Sequence, residues 1–224
     1  MKIISFCLWG NNPKYTIGAI KNADLANEIY PDWKCRFYVT SDVNKNIIER
    51  LQQNSQVVIT SSQGNWKFTT ERFKAIDDKE CEAVIFRDCD SRLNKREASA
   101  VNQWLKSDKT LHIMKDHPYH NSFPILAGMW GLKKDKFCFN MNSLLKLYAN
   151  NEQYHYDQIF LNDYIWKYFS DDCLIHDEFF AKTSFPTKRE SLEFVGQVFD
   201  ENNDTIKEHL EILKNYLKNE KNKC

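Results

Sequence analysis

The chain has no excess of either charge. Its 31 lysines and arginines are matched by 31 aspartates and glutamates, for a formal net charge of +0. A surface built to hold DNA or RNA needs a basic excess, so a dedicated nucleic-acid role is set aside, whereas a single nucleotide needs only a local cluster of positive charge. No Cys-x-x-Cys pair occurs among the seven cysteines, at 7, 35, 81, 89, 138, 173 and 224. With that odd count, neither a zinc site nor a disulfide framework is indicated. Several of these thiols lie in strand-like apolar runs, where they act as small hydrophobes, and a reducing, cytoplasmic setting is expected. No apolar run approaches the length of a membrane span. The run Ile3 to Trp9 is broken by Ser5, stops at Gly10-Asn11-Asn12-Pro13 and has no small-residue cleavage site, so it reads as a first core strand rather than a secretory leader. Internal repeats, low-complexity stretches and convincing inter-domain linkers are absent too. A chain of 224 residues is long enough for one sizeable core with elaborations.

Aromatic residues, by contrast, are plentiful, with 15 Phe, 10 Tyr and 6 Trp. Most are expected to fill the core, and a few to wall a ligand site. Strand and helix signals alternate. Strands are expected at Lys2 to Leu8, Cys35 to Val39, Val57 to Thr60, Ala83 to Phe86, Thr110 to Lys115, within Ile125 to Leu132, and at Leu174 to His176. Helices are expected from Tyr15 to Tyr30, from a cap at Ser41 or Asp42 to about Gln53, and at Thr70 to Asp78, Asn94 to Lys106, Phe137 to Tyr148 and His155 to Phe169. Such alternation predicts an α/β fold with a parallel sheet covered by helices. Residues 1–200 read as the domain proper. Residues 201–224 read as a C-terminal helix, with Ile206, Leu210, Leu213 and Leu217 as its packing stripe, and a mildly basic tail. Lys214, Lys218, Lys221 and Lys223 leave room there for a weak membrane-surface contact.

The most informative stretch is Ala83-Val84-Ile85-Phe86-Arg87-Asp88-Cys89-Asp90-Ser91-Arg92. A short buried strand runs straight into two aspartates one residue apart. Alternation along an extended segment would point Asp88 and Asp90 the same way. Ligands of open α/β sheets bind beyond the carboxyl ends of strands, so the pair is a candidate hard-oxygen site for Mg2+ or Mn2+, completed by water and phosphate. Arg87 and Arg92 flank it, either to meet phosphate or to neutralise the carboxylates. An Asp-x-Asp that only forms a turn looks the same in sequence.

Further motifs follow in order. They are Trp66 with Arg72-Phe73, Arg96-Glu97, Trp104-Leu105, His112 to His120, Ala127-Gly128-Met129-Trp130-Gly131, Asp157-Gln158, Ile175-His176-Asp177 and Phe194-Val195-Gly196-Gln197. With the acidic strand end, this ordered set resembles a nucleotide-sugar glycosyltransferase of the GT-A type, and most closely a small family of large DNA viruses and bacteria. It spans about residues 1–200, and departs at Ala127, where glycine is expected.

The resemblance implies a single-domain GT-A (Rossmann-like) α/β fold, with a mixed, mostly parallel sheet flanked by helices, and a metal-dependent transfer of a sugar from a nucleoside diphosphate, UDP by preference, to a glycan or small acceptor. By it, Asp90 binds the metal, Asp88 binds metal or ribose, and His176 completes the metal shell unless it is a core histidine. Trp9 or Tyr15 would stack on the base beside Gly10. Arg72 would reach the nucleotide or diphosphate, and Lys182, six residues after His176, would hold the leaving diphosphate. Asp116, His117 and His120 are candidates for the sugar or acceptor pocket. Gly128 and Gly131 keep the backbone bare there, or merely pack closely, with Trp130 as a platform. Asp157 and Gln158 open a helix, where a carboxylate is also a natural cap. In retaining relatives such a pair lies by the anomeric carbon, and in an inverting enzyme a carboxylate there would deprotonate the acceptor. The competing reading is a sugar nucleotidyltransferase, although Gly10-Asn11-Asn12-Pro13 is a poor match to the basic, glycine-rich phosphate loop those enzymes carry. An inactive nucleotide- or sugar-binding module is the third.

Overall fold

The computed structural model describes residues 1–62, 64–148, 154–180 and 183–221. Its centre is a seven-stranded sheet in the order β3-β2-β1-β4-β6-β5-β7. The strands are β1 (Lys2–Leu8), β2 (Trp33–Thr40), β3 (Gln56–Thr60), β4 (Ala83–Phe86), β5 (Leu111–Lys115), β6 (Trp130–Lys133) and β7 (Cys173–Asp177). All neighbours run parallel except β6, which lies antiparallel between β4 and β5. The sheet is therefore mixed and mostly parallel: parallel as the alternating pattern predicts, except at β6.

Side-chain alternation divides the core into two layers. Ile4, Phe6, Leu8, Ala83 and Ile85 face one side, with Ala19 and Ala23 of α1 (Pro13–Ile29), Leu51 of α2 (Lys45–Gln52) and Val101 and Trp104 of α3 (Lys95–Lys106). Ile3, Val84, Phe86 and Trp130 face the other. There they meet Phe68 and Phe73 of a 3-10 segment (Trp66–Asp77), Met141 of α4 (Met141–Leu147) and Phe160 of α5 (Tyr156–Phe160). Strands covered on both faces explain the unbroken apolar runs.

Local departures from expectation have local causes. α2 is capped by Asn44, whose side chain accepts from Asn46 N, while the Asp42 carboxylate is engaged by the Thr40 hydroxyl. The segment Trp66–Asp77 starts earlier than its apolar pattern and is 3-10 rather than α, with Thr69 and Thr70 hydroxyls donating to carbonyls three residues back. The expected helix from His155 is split into α5, a π-helical turn (Leu161–Trp166) and the short α6 (Lys167–Phe169). The last helix, α7 (Lys207–Lys221), buries Leu213 and meets His117 through the His209 carbonyl. Among the described residues, no helix is long and apolar enough to cross a membrane, and Cys7, Cys35, Cys81, Cys89, Cys138 and Cys173 are free thiols.

Candidate functional site

A cleft of about 950 Å³ opens beyond the carboxyl ends of β1 and β4. It gathers residues from loops far apart in sequence: Trp9, Gly10 and Tyr15 after β1, Asp88 and Asp90 after β4, Trp66 and Arg72 of the 3-10 segment, His120, Gly128, and Asp157 with Gln158 of α5. A second cleft, of about 460 Å³, lies between the start of α3 and residues 187–194, and holds neither aspartate.

The acidic segment does not stay extended. Ser91 N and Oγ both donate to the Asp88 carbonyl, which closes a turn, and Phe199 N donates to the Asp90 carbonyl. Both carboxylates nevertheless face the cleft, Asp88 48% exposed and Asp90 15%. Two glycines make room for this segment. A Cβ on Gly128 would lie 2.0 Å from Asp88 Oδ2, and one on Gly18 of α1 would lie 2.0 Å from the Cys89 carbonyl oxygen.

Each aspartate is held by an internal cation. Lys14 Nζ lies 2.8 Å from Asp90 Oδ2. Burial works against the Lys14 charge, but the Asp90 carboxylate outweighs it and raises the lysine pKa. The Asp90 carboxyl is itself raised, by burial first and then by the charge of Asp88, with Lys14 opposing. Arg72, 2% exposed, bonds Asp88, the Arg87 carbonyl at 2.9 Å and Asp157 Oδ2 at 3.2 Å. Asp157 is raised by burial, with Arg72 opposing. Beside it, Gln158 Nε2 is 2.9 Å from His155 Nδ1, and Gln158 Oε1 is buried without a hydrogen-bond partner among the described residues.

The base-side candidates line the same cleft. Gly10 has φ +64° and open space around it, Tyr15 is 38% exposed, and Trp9 packs edge-on to Trp66 and Phe68. Burial drives His120 down to about 3, and its Nδ1 accepts from Asp116 N.

Several expected site residues are elsewhere. His176 lies wholly buried on β7, with Nδ1 2.8 Å from His112 Nε2 and Nε2 3.2 Å from Gln103 Oε1. Both ring nitrogens are taken, and His176 does not line the cleft. Among the described residues, no group of three or more His, Cys, Asp or Glu is placed to hold a metal. Arg87 turns away from the aspartates and pairs with Glu97 of α3 at 3.1 Å, both side chains 2% exposed. Arg92 donates to the Cys89, Ser91 and Asp200 carbonyls. Asp116 is buried between Arg96 and Arg189 and accepts from Val195 N. His117 is occupied by the His209 carbonyl and Tyr119 N. Trp130 is fully buried against Phe86 and Phe73, with its Nε1 donating to the Ala127 carbonyl, so it is core and not a sugar platform. Lys182 lies outside the described residues.

Lys14 is the cleft residue that motif reading overlooks. Its signal was present: Asn12 and Pro13 mark the N-cap and first residue of α1, which puts Lys14 in the turn that follows β1. Tyr154 is another, 61% exposed and edge-on to Trp66 at the cleft mouth.

No protein-family model matches this sequence, and no curated protein does. Solved structures do resemble the fold. One is the galactosyltransferase LgtC in complex with donor and acceptor sugar analogues, at TM-score 0.52 and 16% identity over 79% of this chain and 73% of that one. Another is 4-diphosphocytidyl-2C-methyl-D-erythritol synthase from Anaerococcus prevotii DSM 20548, at TM-score 0.51 and 13% identity over 97% and 96%. A third is glucosyl-3-phosphoglycerate synthase from M. tuberculosis, at TM-score 0.50 and 12% identity over 84% and 73%. The fold is thus the GT-A-like α/β architecture found in nucleotide-diphospho-sugar transferases.

Proposed function

We propose that the protein is a glycosyltransferase that moves a sugar from a nucleoside diphosphate sugar, UDP-linked by preference, to a hydroxyl of a glycan or small acceptor. The observation that carries this reading is the meeting, in one cleft at the strand ends, of Asp88 and Asp90 with Asp157 and Gln158. The resemblance of the ordered motifs to the GT-A type supports it as well.

A divalent cation suits the donor set. Mg2+ and Mn2+ take hard oxygens, and Mg2+ is commonly held by one or two carboxylates with water and substrate phosphate making up the rest. Asp88 and Asp90 supply two carboxylates in reach of one cleft, so no third protein ligand is required and His176 is not needed. When bound, the ion would neutralise charge on the departing diphosphate. The protein's own groups do the remainder. Trp9 and Tyr15 offer ring faces to a base, and Gly10 leaves the backbone open. Arg72 keeps Asp88 and Asp157 in a fixed relation, joining the diphosphate side of the cleft to its sugar side. Gln158 Oε1, without a partner among the described residues, is an acceptor for a sugar hydroxyl.

Likeness over nearly the whole chain to 4-diphosphocytidyl-2C-methyl-D-erythritol synthase favours one alternative, a nucleotidyltransferase. The two reactions differ in product: nucleotide transfer from a triphosphate releases pyrophosphate, and sugar transfer releases a nucleoside diphosphate.

Thermal shift against a panel of nucleotide sugars, with and without Mn2+, tests the reading. A donor that binds the folded state raises Tm with concentration. The expected result is a shift with UDP-sugars that needs Mn2+ and is lost in Asp90→Asn. Absence of any shift with nucleotide sugars, or pyrophosphate release from a nucleoside triphosphate, refutes it.

A further inference from the structure

The ion pair between Lys14 and Asp90 sits where the proposed cation would bind. Its nitrogen is 2.8 Å from Asp90 Oδ2 and 5.1 Å from the centre of the Tyr15 ring. The lysine side chain is 30% exposed, so the ammonium lies on the cleft wall within reach of a ligand. Around it, the N-terminal turn of α1 is already satisfied, since Lys14 N donates to Asn12 Oδ1, and Tyr15 N and Thr16 N donate to the Asn12 carbonyl. The ammonium, rather than the helix end, is the group available to an anion.

Among the described residues lining the cleft, Lys14 and Arg72 are the lysine and arginine side chains. Arg72 is 2% exposed, and its Nη atoms are engaged by Asp88, Asp157 and the Arg87 carbonyl. Moving it toward a phosphate would strip two carboxylates of their counterion. Lys14 gives up one partly exposed pair, and its long, flexible stem can redirect a point charge. A divalent ion on Asp90 and an ammonium on the same oxygen repel each other, so the two cannot share it.

We propose that Lys14 is the diphosphate-binding cation of this cleft, and that in the free protein it occupies Asp90 in place of the divalent ion. The inference rests on the reading of the cleft as a nucleotide-sugar site. A nucleoside diphosphate draws the ammonium off Asp90 and frees that carboxylate for metal. Metal entering first displaces the ammonium toward the position the phosphates will take. Each ligand thus improves the site for the other, and the coupling is reciprocal.

The test titrates Mn2+, followed by its free-ion EPR signal, and UDP, followed by calorimetry, into the full chain as wild type, Lys14→Met, Lys14→Arg and Asp90→Asn. Lys14→Met should bind Mn2+ alone about fivefold tighter, the factor set by loss of a partly exposed competing pair. It should bind UDP without metal about tenfold weaker, for want of a charge-assisted contact. Lys14→Arg should keep UDP affinity near that of wild type. If Asp90→Asn abolishes Mn2+ binding but Lys14→Met leaves both affinities unchanged, the inference falls and the reading of the cleft stands. If wild type binds neither Mn2+ nor UDP, both fall.

Discussion

Gly128→Ala is the sharpest test of the acidic site, because it adds one methyl group and aims it at one carboxylate. The new Cβ would lie 2.0 Å from Asp88 Oδ2 and 2.6 Å from its Cγ. Ordinary contact needs the carboxylate to retreat by more than about 1 Å. Asp88 is 48% exposed and can swing toward solvent, but doing so pulls it from Arg72. Arg72 keeps Asp157 and the Arg87 carbonyl, so the lost half-exposed pair costs only about 1 kcal/mol. Reduced freedom of the unfolded chain on replacing glycine offsets about 0.4–1 kcal/mol of that. Net stability should change by less than about 1 kcal/mol, a Tm shift under about 4 °C for a domain of this size. Mn2+ affinity should fall about 10- to 100-fold, the range seen when the support of a metal ligand is lost. Differential scanning calorimetry and Mn2+ titration by EPR measure the two effects separately. Wild-type Mn2+ affinity in a folded Gly128→Ala protein would refute the assignment of Asp88 as a ligand, and outright unfolding would refute the claim that Asp88 has room to move.

Gly18→Ala presses on the same segment from the other side but meets backbone, so it should behave differently. Its Cβ would lie 2.0 Å from the Cys89 carbonyl oxygen, which cannot rotate away, and overpacking of this kind should cost about 1–3 kcal/mol in urea unfolding. Arg87→Met leaves Glu97 buried with only the Tyr30 hydroxyl, and should cost about 3–5 kcal/mol, most of it recovered in Arg87→Met with Glu97→Leu, while UDP affinity of the folded protein stays unchanged. His120 and His176 are held neutral by burial, with pKa values lowered to about 3 and about 4. Unfolded histidine takes up a proton below its usual value of about 6.5, so stability should fall as pH drops from there toward the folded values. Urea midpoints measured between those limits should show a shallower pH dependence in His176→Gln than in wild type, and equal slopes would refute the assignment.

Much of the fold could be read from apolar patterning because strands buried on both faces leave continuous runs. β1 and β4 begin and end where the pattern puts them. The insertion of β6 antiparallel between β4 and β5 is a pairing between distant segments, and no local pattern encodes it. The site divides along similar lines. Asp88 and Asp90 were visible because they follow a strand end. The roles of the arginines were not visible from their nearness in sequence, although alternation held the answer. Phe86 faces the layer with the 3-10 segment, Ile85 faces the layer with α3, and Arg87 continues on the α3 side to reach Glu97. Arg72, sixteen residues before Asp88, is the arginine that meets that carboxylate. His176 shows the limit of motif order. Position along the chain says which strand end it approaches, but the pairing of Met114 with His176 in the β5–β7 ladder sets it beside the buried His112.

The charges of the cleft explain why its basic half left so little trace in the sequence. Asp88, Asp90 and Asp157 line it with Lys14 and Arg72. Burial raises the Asp90 and Asp157 carboxyls, the charge of Asp88 adds to it, and Lys14 and Arg72 oppose it. One arginine can bridge two carboxylates because its planar fork presents donors in more than one direction, which a lysine cannot do. Asp90 lies beyond that fork and needs a separate cation, which Lys14 supplies from the start of α1. Two basic residues from separate elements therefore neutralise the carboxylates of this cleft. A cluster assembled in this way is invisible to a search for basic runs. Among the described residues it also leaves the cleft with one more negative than positive group, which favours entry of a divalent cation together with a phosphate rather than of a phosphate alone.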